Sequence, residues 1–212
     1  MKNIKSITDE KSKVKILLAS KSPRRQELLK NINLDFDVAV SNFDEKSISA
    51  KDRQPGNYAG ELALRKAETV ADSIKAEKGV EYLVIGADTI VVLNGEVLGQ
   101  PAGADDARRM LKLLSGTANQ VITGVAVISL KDGQKTIHKA FESTLVYFKQ
   151  LAESEIERYI ATGEPLDKAG AYGIQGLASL FVEEIEGCYF NVVGLPIMRL
   201  SKLFKLHGYS LI

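Results

Sequence analysis

The chain has 212 residues, of which 45% are hydrophobic, and this is enough apolar material for one sizeable core. Its 28 lysines and arginines nearly balance its 27 aspartates and glutamates, which excludes the strongly basic composition of a general nucleic-acid or membrane-surface binder. The single cysteine, Cys188, excludes an internal disulfide framework and a multi-cysteine zinc site.

The N-terminal segment lacks the apolar stretch of a signal peptide. Residues 1–15 contain five lysines, and no apolar run in the chain approaches the roughly 18 residues that span a bilayer. We therefore predict a mobile tail over residues 1–14, one compact domain over residues 15–212, and a cytoplasmic protein without a membrane partner.

The first half of the chain alternates strand and helix signals. Residues 14–19 form a short apolar run typical of a buried strand, and Ser22 with Pro23 predicts the start of a helix. Apolar residues at helical spacing predict a second, amphipathic helix over residues 61–78. Residues 82–93 are again typical of a strand.

Two tight turns predict antiparallel hairpins. The Asn-Gly pair at 94–95 is a strong type I′ signal after the strand, and the Asp-Gly pair at 132–133 joins two predicted strands at 121–130 and 136–148. Between the hairpins, residues 105–114 form a helical pattern with acids in the first turn.

The last third of the chain returns to mixed signals. A capping-box pattern at residues 154–157 predicts a helix that stops at Gly163. Strands are predicted at residues 180–185 and 189–193, with a last helix after Pro196. Helices interleaved with hairpins indicate an α/β fold around a mixed, twisted sheet, because an all-parallel sheet would not need such turns.

The first segment whose residues could form a functional site is the strand-turn-helix at residues 16–25. Free backbone N–H groups, the positive end of the helix, the Ser20 hydroxyl and two arginines, Arg24 and Arg25, converge on one spot that suits a phosphate chain. Cations in a first helical turn oppose the helix dipole, which favours a ligand role. For Arg25, a surface ion pair with Glu27 is an equally good interpretation.

The second segment is Gly-Ala-Asp-Thr at residues 86–89, which interrupts an otherwise apolar strand. A buried unpaired carboxylate is very costly, so Asp88 must face a cleft, a cation or several donors. It could act as a base towards water or as a ligand of a hard divalent cation. The alternative is an aspartate that caps a strand bulge at Gly86.

The third segment, residues 163–176, has four glycines in fourteen residues. Such a loop lets backbone N–H groups approach a ligand closely, and Gln175 offers a donor and an acceptor to the edge of a base. A flexible connector is the alternative. The chain has no Walker-type or dinucleotide-binding glycine motif, which disfavours those folds.

Together these segments resemble the Maf family of nucleoside triphosphate pyrophosphatases. The likeness runs in the same order from about residue 16 to 206. The matching motifs are the opening Ala-Ser-Lys-Ser-Pro-Arg-Arg-Gln-Glu-Leu-Leu at 19–29, the acidic strand at 86–89, the glycine-rich block at 163–176 and the closing Asn-Val-Val-Gly-Leu-Pro at 191–196.

The resemblance implies a two-lobed fold, similar also to inosine triphosphatases, with a cleft between the lobes. It implies cleavage of a nucleoside triphosphate to the monophosphate and pyrophosphate with a divalent metal cation, Mg²⁺ or Mn²⁺. Asp88 matches the family's proton acceptor, and Asp88 with Glu45 is the implied metal pair. A homodimer is the expected assembly.

The resemblance also indicates a branch of the family. Arg24, Thr89 and Gln175 match the branch that acts on dTTP and UTP, whereas a sister branch that prefers 7-methyl-GTP carries different residues at all three positions. Lys66 and Lys168 match basic positions in the family's cleft. With Ser20, these residues form the implied substrate site.

One position departs from the family pattern. Gln100 stands where members usually have a lysine, so a cation that would face phosphate is replaced by a neutral amide. This leaves a second function open, namely a nucleotide-binding regulator of cell division with weak or no turnover. An RNA-binding adaptor fits poorly, because only 7% of the residues are aromatic and the net charge is +1.

Overall fold

The computed structural model describes residues 5–6, 13–51 and 53–212, and its centre is a seven-stranded mixed sheet. The sheet strands are β2 (Val14–Leu18), β3 (Asp37–Val38), β4 (Glu81–Leu93), β5 (Glu96–Leu98), β6 (Ala118–Lys131), β7 (Gln134–Phe148) and β8 (Val182–Glu186). Their order is β3-β2-β4-β6-β7-β8, with β5 paired to β4. Strand β2 runs parallel to β3 and β4, and the other pairs are antiparallel.

In the part of the chain that the structure describes, six α-helices flank this sheet. They are α1 (Pro23–Asn31), α2 (Pro55–Ser73), α3 (Ala104–Leu114), α4 (Glu153–Ala161), α5 (Tyr189–Val193) and α6 (Ile197–Leu206). The mixed α/β fold predicted from the sequence is therefore confirmed. Two further short strands, β1 (Lys5–Ser6) and β9 (Tyr209–Ser210), pair in parallel outside the main sheet. The rest of the predicted tail up to residue 12 lies outside the described residues.

The long strand β4 belongs to two packing units on one face of the sheet. Leu83, Ile85 and Ala87 pack with residues of α1 and α6 in one core. Val91 and Leu93 pack with residues of α3 and α4 in another. Since side chains alternate along a strand, residue 89 lies on this same face between the two cores. The two cores thus lie on either side of the part of β4 that contains residue 89.

Helix α2 covers the opposite face and approaches the strands very closely. A Cβ atom at Gly86 would lie 2.0 Å from the carbonyl oxygen of Ala63, and one at Gly124 would lie 2.1 Å from that of Ala59. Only glycine allows the helix backbone to rest on the sheet here. Lys66 is one helical turn beyond Ala63 and is brought over β4 by this contact.

Both predicted hairpins are confirmed. Asn94 and Gly95 have φ angles of 50° and 84°, and Asp132 and Gly133 have φ angles of 47° and 78°. A type I′ turn requires positive φ at both central residues, which is why these pairs are reliable signals. The second hairpin joins β6 to β7 along their full lengths.

The start of the second helix was predicted wrongly. Helix α2 begins at Pro55 rather than at residue 61 and ends at Ser73 rather than at residue 78. Its first turns contain Gly56 and Gly60, which are buried but carry no apolar side chain, so the helical periodicity of the sequence is not visible there.

The predicted strand at residues 189–193 was also wrong, because this segment is helix α5. The helix ends at Val193 and is followed by Gly194, whose φ of 119° provides the left-handed conformation common after a helix. The strand predicted at 180–185 is β8, but it begins only at Val182, after a 3₁₀ turn. Apolar runs this short do not distinguish strand from helix by periodicity.

The predicted cap of α4 lies two residues too late in the sequence. The Glu155 carboxylate accepts a hydrogen bond from the backbone N–H of Ala152 at 2.9 Å, so the helix starts before Ser154. Glu157 instead forms an ion pair with Arg108 at 2.5 Å.

Within the described residues, no helix is both long and apolar enough to cross a membrane.

Candidate active site

A cleft of about 520 Å³ opens along the central strand. Strand β2 pairs with β4 as far as Ile85, and β5 pairs with β4 only from Val91 onward. The segment of β4 between them faces the cleft. All eight site residues predicted from the sequence line it: Ser20, Arg24, Glu45, Lys66, Asp88, Thr89, Lys168 and Gln175.

Asp88 is the buried carboxylate of this cleft, with only 6% of its surface exposed. The Lys66 ammonium donates a hydrogen bond to it and also contacts Glu45 Oε1 at 2.6 Å. Burial raises the pKa of Asp88, against the opposing attraction of Lys66 and Arg25. The β4–β6 register runs without interruption through this region, so the alternative of a strand bulge at Gly86 is wrong.

The two carboxylates form a donor set that suits a hard divalent cation. Asp88 and Glu45 present oxygen atoms to the same point, which the Lys66 ammonium shares. Mg²⁺ is commonly held by one or two carboxylates together with substrate phosphates and water. No three His, Cys, Asp or Glu side chains among the described residues could hold a metal by themselves. The residues therefore fit a cation that a phosphate ligand helps to coordinate.

Arg25 is held by three acceptors at the end of β2. Its Nε donates to the carbonyl oxygen of Gly194 at 2.8 Å, Nη1 donates to Ser20 Oγ at 3.1 Å, and Nη2 donates to Thr89 Oγ1 at 3.1 Å. The surface ion pair with Glu27 is thus not formed, and that interpretation was wrong. Burial lowers the pKa of Arg25, but a guanidinium remains charged at neutral pH. Arg25 is a half-buried cation in the wall of the cleft, and its three hydrogen bonds fix its orientation.

Arg24 differs from its neighbour because it makes no hydrogen bond or ion pair with another described residue. It is half-buried and lines the cleft.

We expect Arg24→Ala to lower kcat/KM for the nucleotide by the equivalent of about 1.5 to 3 kcal/mol, the range for hydrogen bonds to charged groups. Thermal stability should change little, since no intramolecular bond is lost. A large fall in Tm with unchanged kinetics would instead make Arg24 a structural residue.

The glycine-rich block forms the opposite wall and is anchored at several points. Glu164 accepts hydrogen bonds from the Tyr159 hydroxyl at 3.1 Å and from the backbone N–H of Leu177 at 3.2 Å. The N–H of Gly170 donates to the carbonyl oxygen of Gly99 at 3.0 Å. The block is therefore a structured loop, and the interpretation as a flexible connector was wrong.

Two side chains of this wall line the cleft, and they differ in whether they form hydrogen bonds within the protein. The Lys168 ammonium donates to the carbonyl oxygen of Glu164 at 2.5 Å and to Asp167 Oδ1 at 2.7 Å. Gln175 is half-buried and makes no hydrogen bond with another part of the described chain. Its amide is available to a ligand.

Gln100 also lines the cleft and is tied to the same wall. Its Nε2 donates to the carbonyl oxygen of Asp167 at 3.1 Å.

If this position faces a leaving pyrophosphate, Gln100→Lys adds a cation where negative charge develops and should raise kcat/KM several-fold, most clearly at low salt. An unchanged or lower kcat/KM at every ionic strength would show that the missing charge has no functional meaning here.

Tyr58 is a cleft residue that sequence reasoning missed. Its hydroxyl donates to the carbonyl oxygen of Ile48 at 3.3 Å, which ties helix α2 to the segment after Glu45. The Tyr58 pKa is raised by burial and by the charges of Asp88 and Glu45. The misplaced start of α2 hid this residue, since a helix beginning at Pro55 places it in the first turn.

Comparison with known proteins agrees with this site. A family model described as Maf-like protein matches residues 15–207. A dTTP/UTP pyrophosphatase of Desulforamulus reducens is 48% identical over 93% of this chain and 98% of its own length. One from Alkaliphilus oremlandii is 51% identical over 91% of this chain and 95% of its own length. With the fold, the cleft and these relatives in agreement, the chain belongs to the Maf family.

Proposed function

We propose that this protein hydrolyses dTTP and UTP, with modified pyrimidine nucleotides as further candidates, to the monophosphate and pyrophosphate. Such an enzyme would clear unwanted nucleotides from the cellular pool. The observation that carries the proposal is one cleft in which the buried carboxylate of Asp88 lies beside the cation of Lys66. Relatives at 48–51% identity named dTTP/UTP pyrophosphatase support the choice of substrate.

The charges of the cleft suit a triphosphate. Arg24 and Arg25 lie on one wall, Lys66 lies on the helix that covers the sheet, and Lys168 lies on the glycine-rich wall. Cleavage between the α and β phosphates builds negative charge on the leaving pyrophosphate. Cations held in advance in a partly buried cleft stabilise that charge without having to reorganise.

Asp88 is the proposed proton acceptor. In the protein without a bound cation, burial raises the pKa of Asp88, so this carboxylate takes up a proton more readily than an exposed aspartate does. The neighbouring ammonium of Lys66 holds the carboxylate in one orientation. Asp88 would accept a proton from the attacking water, and the arginine and lysine side chains would hold the phosphates in line.

Asp88 and Glu45 would hold the divalent cation, Mg²⁺ or Mn²⁺, together with phosphate oxygens. When bound, such an ion neutralises phosphate charge and favours attack at phosphorus. The rest of the chemistry falls to the side chains already described.

Gln175 and Thr89 are the proposed specificity residues at the pyrimidine end of the cleft. If the Gln175 amide reads a base edge, Gln175→Glu should change the ratio of dTTP to purine nucleotide turnover about tenfold, because a mispaired buried polar group costs about 1 to 3 kcal/mol. The measurement is kcat/KM for dTTP and dGTP in both proteins. A uniform fall for all substrates would place Gln175 on the phosphates or in the scaffold.

The experiment that tests the proposal is pyrophosphate release measured across the common ribo- and deoxyribonucleoside triphosphates, with and without Mg²⁺. Preferential turnover of dTTP and UTP is expected. Tight binding of these nucleotides without release would contradict an enzymatic role and favour the nucleotide-binding regulator.

The proposal extends to the assembly and its location. A homodimer is favoured by the family resemblance, and a cytoplasmic location fits a chain whose only cysteine, Cys188, is a free thiol. Sedimentation equilibrium should give twice the monomer mass, and a single monomeric species at micromolar concentration would contradict the dimer.

A further inference from the structure

A chain of hydrogen bonds leads from the cleft into the interior of the sheet. Thr89 Oγ1 lies 2.9 Å from Thr123 Oγ1, and Thr123 Oγ1 donates to the backbone carbonyl oxygen of Asn191 at 2.8 Å. The Asn191 side chain makes a second hydrogen bond to Thr123, because its Oδ1 accepts from the N–H of Thr123 at 3.0 Å. Thr123 and Asn191 are each 0% exposed, so neither meets solvent.

The geometry of this chain is imposed by the sheet. Thr89 on β4 and Thr123 on β6 are direct partners in the antiparallel register, so their side chains lie on the same face. Asn191 is held in turn by its Nδ2, which donates to the carbonyl oxygen of Val121 and to Thr144 Oγ1, both at 2.9 Å. The acceptor offered to Thr123 is therefore rigid.

The direction of each hydroxyl proton follows from these contacts. A backbone carbonyl oxygen can only accept, so the single hydroxyl proton of Thr123 is committed to Asn191. Thr89 must then donate its own proton to Thr123. Its oxygen is left as an acceptor, and it receives the Nη2–H of Arg25 at 3.1 Å.

This polarity matters for Arg25, whose guanidinium uses three acceptors. A Thr89 proton turned towards the guanidinium would remove one of them and place two donors against each other. Arg25 has two further N–H groups that make no hydrogen bond with a described residue. These two are the donors that Arg25 offers to the cleft. Their direction is set by the three bonds that are made.

We propose that Thr123, held by Asn191, is a positioning residue for Arg25, because it orients the Thr89 hydroxyl as an acceptor for the guanidinium. Thr123 touches no substrate and acts only through Thr89. The kinetic part of this inference rests on the proposed function, whereas the orientation of Arg25 can be observed without any turnover.

The test compares Thr123→Val, which keeps the shape but removes the hydroxyl, with Thr123→Ser, which keeps the hydroxyl. Ser129→Ala is the matched control, because it deletes another buried hydroxyl on β6 that bonds to Glu81 away from the cleft. The direct readout is the Nε–H NMR signal of Arg25, assigned by its loss in Arg25→Lys. The second readout is the kinetics with dTTP.

We expect Thr123→Val to shift and broaden the Arg25 signal and to lower kcat/KM about tenfold, the loss of roughly one hydrogen bond to a charged group. Thr123→Ser should restore both, and Ser129→Ala should lower Tm without changing either. In a Thr89→Val background, Thr123→Val should have no further kinetic effect.

An unchanged Arg25 signal in Thr123→Val, with a fall in Tm like that of Ser129→Ala, would overturn the inference and leave Thr123 a structural residue. Equal kinetic losses from Thr123→Val in the presence and absence of the Thr89 hydroxyl would also overturn it. If the wild-type protein turned over no nucleotide, the proposed function would fail, while the NMR readout would still decide the role of Thr123.

Discussion

Replacing Asp88 with asparagine is expected to lower kcat for dTTP by about 10²- to 10⁴-fold, the range attributed to a positioned general base. An amide keeps the size and shape of the carboxyl group, but it does not accept a proton at neutral pH and is a poor ligand for a hard cation. The rate should be measured at saturating Mg²⁺, so that weaker cation binding alone does not explain the loss.

The same substitution should not destabilise the protein at neutral pH. Burial raises the pKa of Asp88, so the folded state binds its proton more tightly than the unfolded state does. The charged carboxylate therefore costs stability above that pKa, and the cost is relieved as the pH falls through it. Asparagine never carries this cost, and Lys66 keeps its contact with Glu45.

The comparison is made by thermal unfolding without added divalent cation, from pH 8 down to about pH 4, near the ordinary pKa of 3.8 for an aspartate. Any advantage in Tm of Asp88→Asn over the wild type should be largest at the higher pH and shrink on acidification. Asp72→Asn is the matched control, because Asp72 is an exposed aspartate whose partner is the surface residue Lys135. A variant at position 88 that kept a near wild-type rate would make Asp88 structural.

The second large effect is expected for Arg25→Lys, which keeps the positive charge but replaces a planar fork by a single ammonium. One ammonium on a flexible stem cannot reach the Gly194 carbonyl, Ser20 Oγ and Thr89 Oγ1 in the geometry that the guanidinium uses. The two N–H groups that the guanidinium offers to the cleft are lost as well, and the loss of two charge-assisted hydrogen bonds to phosphate should lower kcat/KM on the order of 100-fold or more.

A surface arginine provides the control for this exchange. Arg65 lies on α2 and pairs with Glu61 and Glu68 at the protein surface, where such ion pairs contribute little. Arg65→Lys should leave the kinetics and Tm nearly unchanged. If Arg25→Lys behaved in the same way, charge alone would be sufficient at position 25, and its three hydrogen bonds would have no role in function.

Much of the fold follows from local signals in the sequence. The Asn-Gly and Asp-Gly pairs adopt the left-handed backbone that their turns require, so both hairpins could be predicted. The start of α2 at Pro55 could not, because Gly56 and Gly60 are buried by contact with the sheet and carry no apolar side chain. Helix α5 was missed because five residues are too few to show a period.

The candidate site was predictable residue by residue, but its pairings were not. Asp88 could be identified from the sequence because burying an unpaired carboxylate in an apolar strand costs so much free energy that a functional role is favoured. Its contact with Lys66 depends on the tight packing of α2 against Gly86, which is a tertiary feature. The bond between Thr123 and Asn191 joins residues 68 positions apart, and nothing in the local sequence indicates it.

The measurement that tests the central claim most directly is ³¹P NMR of the products formed from dTTP by the wild-type protein and by Asp88→Asn. The wild type should convert dTTP to dTMP and pyrophosphate, with no dTDP, and Asp88→Asn should leave dTTP almost intact over the same time. Release of dTDP and orthophosphate, or equal product formation by the two proteins, would contradict a pyrophosphatase in which Asp88 accepts the proton.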